Sequence, residues 1–263
     1  MTTALLIDMG NTAIKVCPAT AHQLHMVYSL PSSRTETADS LGLWLEAICR
    51  RHGVSAVAEA VVCSVVPPLD PVVRGAVERF FGCPVRFVLH DVTLPLENRY
   101  ARPQEVGADR LLAAFAARSL FPEEALIIID FGTATTFDCL LGNAYLGGLI
   151  APGVLSSAAA LGSQTAKLPH ISLDLDGTEL EIGTSTRQSM THGILFGFAA
   201  MVEGLTQRLS TRLEADALRV VATGGLAATI GRITPAIGTL VPDLLVRGLQ
   251  RIAFPTPTLE EET

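Results

Sequence analysis

The feature that most constrains this chain is an order of elements written twice. Leu5–Asp8 reads as a short apolar strand ending in the turn signal Gly10-Asn11. Ala13–Val16 returns as a second strand, and His25–Leu30 reads as a third. Ser40 opens an amphipathic helix through Leu41, Leu43, Trp44 and Ile48 that Gly53 stops. Val61–Val66 reads as a strand, Asp70 as the N-cap of a helix with Pro71 at its first position, and Gly82 as its end. Val85–Leu89 is expected to be a strand and Asp109–Ser119 a helix. The order then restarts. Leu126–Asp130, Thr135–Leu141 and Tyr145–Ile150 read as strands, followed by helices at Val154–Leu161 and Thr186–Leu213. Arg219–Ala222, a helix at Leu226–Ile230, a strand at Leu240–Val241 and a helix at Leu244–Ile252 complete it.

Each half thus reads β-β-β-α-β-α-β-α, with one segment added in the second. Three antiparallel strands followed by α/β crossovers predict an α/β fold, a mixed sheet flanked by helices in each half. Two such units facing each other would leave a cleft, a favoured place for a ligand. The expected division is 1–121, 122–254 and a flexible acidic tail at 255–263.

Composition limits what the pattern can mean. Hydrophobic residues are 49% and charged residues 17% of 263, which excludes a disordered chain or a solvated coiled coil. A net charge of -7 and no basic run argue against nucleic acid as a partner. Mean hydropathy is +0.40, yet the longest apolar stretches, such as Ala125–Ile129, are strand-sized, far short of the ~20 residues of a membrane span. Asp8 interrupts the N-terminal apolar run too early for a signal peptide, so a cytoplasmic protein without a membrane partner is expected. Cys17, Cys49, Cys63, Cys83 and Cys139 are scattered and never form C-x-x-C, which suits buried free thiols better than a zinc or redox site.

Three motifs carry chemistry. In Asp8-Met9-Gly10-Asn11-Thr12, with Lys15 just after, glycine lets backbone N–H groups approach phosphate oxygens, Asn11 and Thr12 can donate, and Asp8 can orient Mg²⁺ or its waters. An ordinary hairpin is the alternative reading. Asp130-Phe131-Gly132-Thr133-Ala134-Thr135-Thr136 stands at the equivalent place in the second half, about 120 residues on, and the matched context favours phosphate binding. Thr223-Gly224-Gly225, where a strand turns into a helix, is compatible with a ribose or base contact or with a simple tight turn.

These hairpins resemble the acetate and sugar kinase, Hsp70 and actin superfamily, whose duplicated ribonuclease-H-like halves hold ATP. Within it, Tyr100-Ala101-Arg102-Pro103-Gln104-Glu105-Val106-Gly107-Ala108-Asp109-Arg110 and Gly147-Gly148-Leu149-Ile150-Ala151-Pro152-Gly153 resemble the markers of type III pantothenate kinases. That resemblance implies a kinase that uses ATP to phosphorylate pantothenate to 4′-phosphopantothenate, the first step of coenzyme A biosynthesis. Asp8, Met9, Gly10, Asn11, Thr12, Ala13, Ile14, Lys15 and Thr133 would bind ATP. Tyr100, Gly107, Ala108, Asp109, Arg110 and Thr186 would bind the acceptor, with Asp109 as general base. Asp130 would hold a monovalent cation, K⁺ or NH₄⁺, in addition to Mg²⁺ bound with ATP. A homodimer is implied as well, and the apolar run Ile194, Leu195, Phe196, Phe198, Met201 and Val202 is either its surface or simple core.

Some residues keep two readings. Asp109, after a glycine and before Leu111, Leu112 and Phe115, also fits a helix N-cap. Arg110 is either a solvated helix residue or a clamp for an anionic substrate. Thr184, Ser185 and Thr186 crowd the acceptor position. His90, His170 and His192 suit surface or core better than catalysis. A same-fold kinase for another small acceptor and an ATP-binding regulatory protein remain the rival functions.

Overall fold

The computed structural model describes residues 2–164, 169 and 171–255. His170 and the tail beyond 255 lie outside them. The chain packs as two compact units: residues 2–95, 104–116 and 244–255 in the first, residues 96–103 and 117–243 in the second.

The first unit is built on a five-stranded sheet of order β3-β2-β1-β4-β5, from β1 (Ala4–Met9), β2 (Ala13–Ala19), β3 (Tyr28–Pro31), β4 (Glu59–Ser64) and β5 (Val85–Phe87). β1 runs antiparallel to β2 and parallel to β4. Alternation along β1 sends Leu5, Ile7 and Met9 into a core with Leu41, Leu45 and Ile48 of α1 (Ala38–Arg51) and Val73, Ala76 and Val77 of α2 (Asp70–Phe81). Leu6 and Asp8 take the opposite face. α1 starts two residues before Ser40 because Thr37 and Ser40 form a reciprocal capping box. Asp70 is not an N-cap: a 3₁₀ turn at Pro67–Leu69 runs straight into α2, and the Asp70 carboxylate instead accepts the Ser64 hydroxyl at 2.5 Å. Gly82 closes α2 in the left-handed conformation at φ 62°, as its position predicts.

The second unit repeats the plan. Its sheet has the order β11-β10-β7-β8-β9-β6, from β6 (Glu97–Asn98), β7 (Ala125–Phe131), β8 (Ala134–Leu141), β9 (Ala144–Pro152), β10 (Leu218–Gly224) and β11 (Thr239–Leu240). Apart from β6 at the edge, each strand has a counterpart in the first sheet. Helices α4 (Val154–Gln164), α5 (Thr186–Leu213) and α6 (Ala227–Gly231) complete the unit. Ile194, Leu195 and Val202 of α5 are buried in its core, and Phe198 and Met201 pack against that core. Most of the apolar run of α5 is therefore core; Phe196, half-buried, stacks on His192 instead. Exposed apolar side chains of this unit lie elsewhere and include Ile150, Leu155, Leu180 and Ile182.

Two segments depart from a single cut near residue 121. β6 pairs in parallel with β9, which places residues 96–103 with the second sheet. The last helix, α7 (Leu244–Ala253), belongs to the first unit and lies against β1 and β4. It buries Leu244, Leu245, Val246, Leu249 and Ile252, and a Cβ on Gly248 would come within 2.8 Å of Leu112, so the helix sits close on α3 (Ala108–Leu120). Arg86 donates to Glu59 at 2.7 Å and 2.9 Å and to the Ile252 carbonyl at 3.4 Å, tying the end of α7 to the sheet.

All five cysteines are buried thiols outside any disulfide. Among the described residues no helix is long and apolar enough to cross a membrane.

Candidate active site

The first hairpin joins β1 to β2 through Gly10, Asn11, Thr12 and Ala13, closed by the Gly10 N–H on the Ala13 carbonyl at 3.0 Å. Antiparallel register places Lys15 opposite Asp8, and the ammonium lies 3.6 Å from the carboxylate. Met9 and Ile14 are buried in the core, so only their backbone can meet a ligand. Asn11 and Thr12 are exposed at the tip, and Ala13 is half-buried.

Asp109 belongs to the same unit. It sits in the first turn of α3, and its Oδ1 accepts the Arg110 N–H at 2.8 Å. The helix begins one residue earlier, at Ala108, so Asp109 is not the flanking cap residue; its carboxylate nonetheless takes a first-turn donor, and this bond aims the group. A Cβ on Gly107 would stand 2.5 Å from Asp109 Oδ1, so glycine leaves the carboxylate its place. Arg110 is buried, which removes the solvated reading of its side chain.

Charge in this unit is concentrated and poorly hydrated. Burial pushes the Asp8 carboxyl up to about 6, Lys15 works against the shift, and the Asp109 charge adds to it. Asp109 is also raised, by burial, against the pull of the Arg110 N–H and guanidinium. Cys63, opposite Asp8 in the β1–β4 register, is a fully buried thiol held far up by burial and by both carboxylates. This thiol is a neighbour of the site that its sequence position, inside an apolar strand, does not announce.

The second hairpin is one residue shorter. Phe131 pairs with Thr135, and Gly132, Thr133 and Ala134 make the turn. Asp130 stands opposite Thr136, a neutral hydroxyl where the first hairpin has Lys15. Thr133 is exposed, and its carbonyl accepts the Ser156 hydroxyl at 2.9 Å. Two glycines close on this turn. A Cβ on Gly153 would overlap the Thr133 carbonyl and come within 2.7 Å of the Gly132 carbonyl. A Cβ on Gly224, at φ 93°, would overlap Asp130 Oδ1 and meet the Phe131 carbonyl at 2.6 Å. Thr223 is buried, and its hydroxyl donates to the Pro242 carbonyl at 3.4 Å. The Thr-Gly-Gly turn thus supports Asp130.

Other residues expected at the acceptor lie in the second unit. Tyr100 is half-buried beside Gly147. Thr186 is exposed on a cavity of about 650 Å³ that Thr184, Ser185, Ser189, Met190 and Leu161 also line. The crowding of hydroxyls has a local cause. Ser185 is the N-cap of α5 and accepts from the Gln188 N–H, and Thr184 donates to Gln188 Oε1 at 3.2 Å. His192 is a core residue whose Nδ1 accepts the Glu181 N–H at 3.1 Å, and His90 is exposed beside Asp91. A pairing not marked in the sequence joins His25 and His52, with ring centroids 4.6 Å apart.

Comparisons with known proteins identify the family. A family model described as type III pantothenate kinase matches residues 4–208. A type III pantothenate kinase from Nitratidesulfovibrio vulgaris (strain DP4) is 52% identical over 249 residues, covering 94% of this chain and 95% of the relative. Among solved structures, the ethanolamine utilization protein EutJ from Carboxydothermus hydrogenoformans superposes with a TM-score of 0.59 at 15% identity, over 97% of this chain and 90% of that one. A ROK family glucokinase from Streptomyces griseus, solved with glucose and AMPPNP, gives 0.50 at 14% identity, over 95% and 98%. These two establish the fold, which the chain shares with both. With a family model spanning most of its length and a relative identical at half of its positions, the chain belongs to the type III pantothenate kinase family.

Proposed function

We propose that the chain moves the γ-phosphoryl group of ATP to the primary hydroxyl of pantothenate, with Asp109 as the general base. The observation that carries this reading is the Asp109 carboxylate itself: fixed by a first-turn N–H, cleared by Gly107, and raised by burial toward the range in which a carboxylate accepts a proton. As the hydroxyl oxygen forms its bond to Pγ, the bond from Pγ to the bridging oxygen breaks and ADP leaves. The hydroxyl proton passes to Asp109. Little covalent work falls to the protein, so its share is positioning and charge.

The Asp8 hairpin, through Gly10, Asn11, Thr12 and Lys15, and the Thr133 turn serve the nucleotide. Arg110, Thr186 and Tyr100 serve the acceptor. Asp8, a buried carboxylate that feels the charge of Asp109, suits Mg²⁺ held through water, an ion that offsets triphosphate charge when bound. Asp130 and the Phe131 carbonyl, both lying against Gly224, are the hard oxygen donors that K⁺ or NH₄⁺ takes. A homodimer is part of the proposal, with Ile150, Leu155, Leu180 and Ile182 among the exposed apolar side chains available to it. The expected site of action is the cytoplasm.

Single-turnover assays with ATP, with and without pantothenate, test the reading. Pantothenate-dependent release of ADP is expected; transfer to hexoses or acetate with none to pantothenate would overturn it. Equal rates in choline buffer and in potassium would remove the cation role from Asp130. A fully active monomer by ultracentrifugation would remove the dimer.

A further inference from the structure

The edge strand β6 has no counterpart in the first sheet, and its neighbourhood converges on one side chain. β6 pairs with β9 through the Glu97 N–H on the Asn143 carbonyl at 3.0 Å and the Arg99 N–H on the Tyr145 carbonyl at 2.9 Å. Asn98, between them, turns its side chain along its own chain. Oδ1 accepts the Tyr100 N–H at 3.0 Å, and Nδ2 donates to the Pro103 carbonyl at 3.4 Å. This Asx-type turn sets where the backbone leaves the sheet at Tyr100.

β9 is shaped on the other side. Its register against β8 slips by one residue, so that Leu140 faces Tyr145 while Cys139 faces Gly147, and Leu146 is the extra residue of a bulge. Gly147 follows at φ 113°, a conformation glycine alone adopts without strain. A Cβ there would lie 3.0 Å from Tyr100 Cδ2 and 3.1 Å from Cε2, so the ring rests on the bare glycine. The strand beneath is anchored by the buried Tyr145 hydroxyl, which donates to Asp138 Oδ1 at 2.7 Å.

We infer that Gly147 and Asn98 are positioning residues that set acceptor selectivity by seating Tyr100, one through the ring and the other through the backbone. The inference deepens the proposed function and rests on its reading of Tyr100 as an acceptor contact. Neither residue touches the reacting atoms. Their effect belongs in the affinity for pantothenate and in discrimination among its shortened or lengthened analogues, not in the nucleotide site.

Steady-state kinetics in both substrates test this. Gly147→Ala is expected to raise KM for pantothenate about 10- to 100-fold, since small displacements of a substrate-positioning group cost that much, and to leave KM for ATP nearly unchanged. Asn98→Leu should act the same way. Asn98→Asp, which keeps the acceptor for the Tyr100 N–H, should recover most of the loss. Because alanine at a positive φ is strained, the deciding measurement is the double variant. In a Tyr100→Ala background, Gly147→Ala should add less than about threefold, because the two act as one unit. An undiminished effect in that background would overturn the inference, as would changes confined to kcat or KM for ATP in both single variants. Tyr100→Ala leaving pantothenate KM unmoved would overturn the acceptor reading itself, and the inference with it.

Discussion

The two hairpins descend from one plan and solve opposite problems. In the first, a Cβ on Gly10 would meet only the Ala13 carbonyl, at 3.3 Å, a close contact that a shift of the carbonyl relieves, so the chain's own packing makes a modest demand for glycine. What the first hairpin has instead is charge: Asp8 with Lys15 opposite, and Asp109 close enough to raise the Asp8 carboxyl. In the second, Gly132 is less demanding still, with the Ala134 carbonyl at 3.6 Å, but Gly153 and Gly224 press on the turn, and Ser156 bonds it. One hairpin is organised by electrostatics and the other by close packing. Removing a charge should therefore damage the first in rate, whereas adding a methyl should damage the second in stability.

The largest expected effect is at Asp109. Asp109→Asn keeps the size and a first-turn acceptor, so the melting temperature should hold while turnover falls ~10²–10⁴-fold, the usual worth of a general base. Near-normal turnover would reduce Asp109 to a helix-terminus residue and leave the first hairpin without its chemistry. Next is Gly153→Ala, which places a methyl on two backbone carbonyls that cannot swing aside. Overpacking of this kind costs about 1–3 kcal/mol, read as a lower denaturant midpoint. An unchanged midpoint would show that the second turn is not held by packing.

Asp8→Asn should move rate and stability in opposite directions. With a folded pKa of about 6 against an ordinary 3.8, the wild-type carboxyl contributes stability in full below pH 3.8 and loses it as pH rises through 6. The variant should thus lose activity yet gain stability above pH 6, by about 1–3 kcal/mol, with the gain vanishing near pH 4. Denaturant titrations from pH 4 to 8 check the sign; a variant uniformly less stable would contradict it. The smallest effect is expected from Gly10→Ala, which should cost less than about 1 kcal/mol, because its Cβ meets one carbonyl at a tolerable distance. KM for ATP should rise nonetheless. A fold that suffers as much as in Gly153→Ala would erase the contrast between the hairpins.

Much of this was legible in the chain because period and turn chemistry are local. α5 spans Thr186–Leu213, the run its hydrophobic pattern marks, and every strand of the duplicated order lies within a few residues of its expected place. Illegible parts depend on partners far along the chain. β6 has two residues, too few to show a period, and exists because Asn143 and Tyr145 offer it an edge. Asp70 has the chemistry of an N-cap, but the preceding 3₁₀ turn takes that position and Ser64 takes its carboxylate. The same limit hid the supports of the site. Thr-Gly-Gly reads as a turn from its own letters, and only tertiary contact puts Gly224 against Asp130. Arg110 follows Asp109 on a helix surface in the sequence, yet the fold buries it.

The allegiance of α7 has a consequence for how the protein is made. β1, of residues 4–9, is packed by a helix of residues 244–253, which is synthesised long after it. The second unit draws only on residues 96–103 and 117–243, so all of its strands and helices are available before those of the first. During vectorial synthesis the first unit, although β1 precedes every strand of the second, is therefore the later one to mature. A nascent chain stalled near residue 243 would carry a finished second unit beside an apolar sheet face still awaiting Leu244, Leu245, Leu249 and Ile252. Such a face is what chaperones engage, and it makes the order of emergence the reverse of the order of completion.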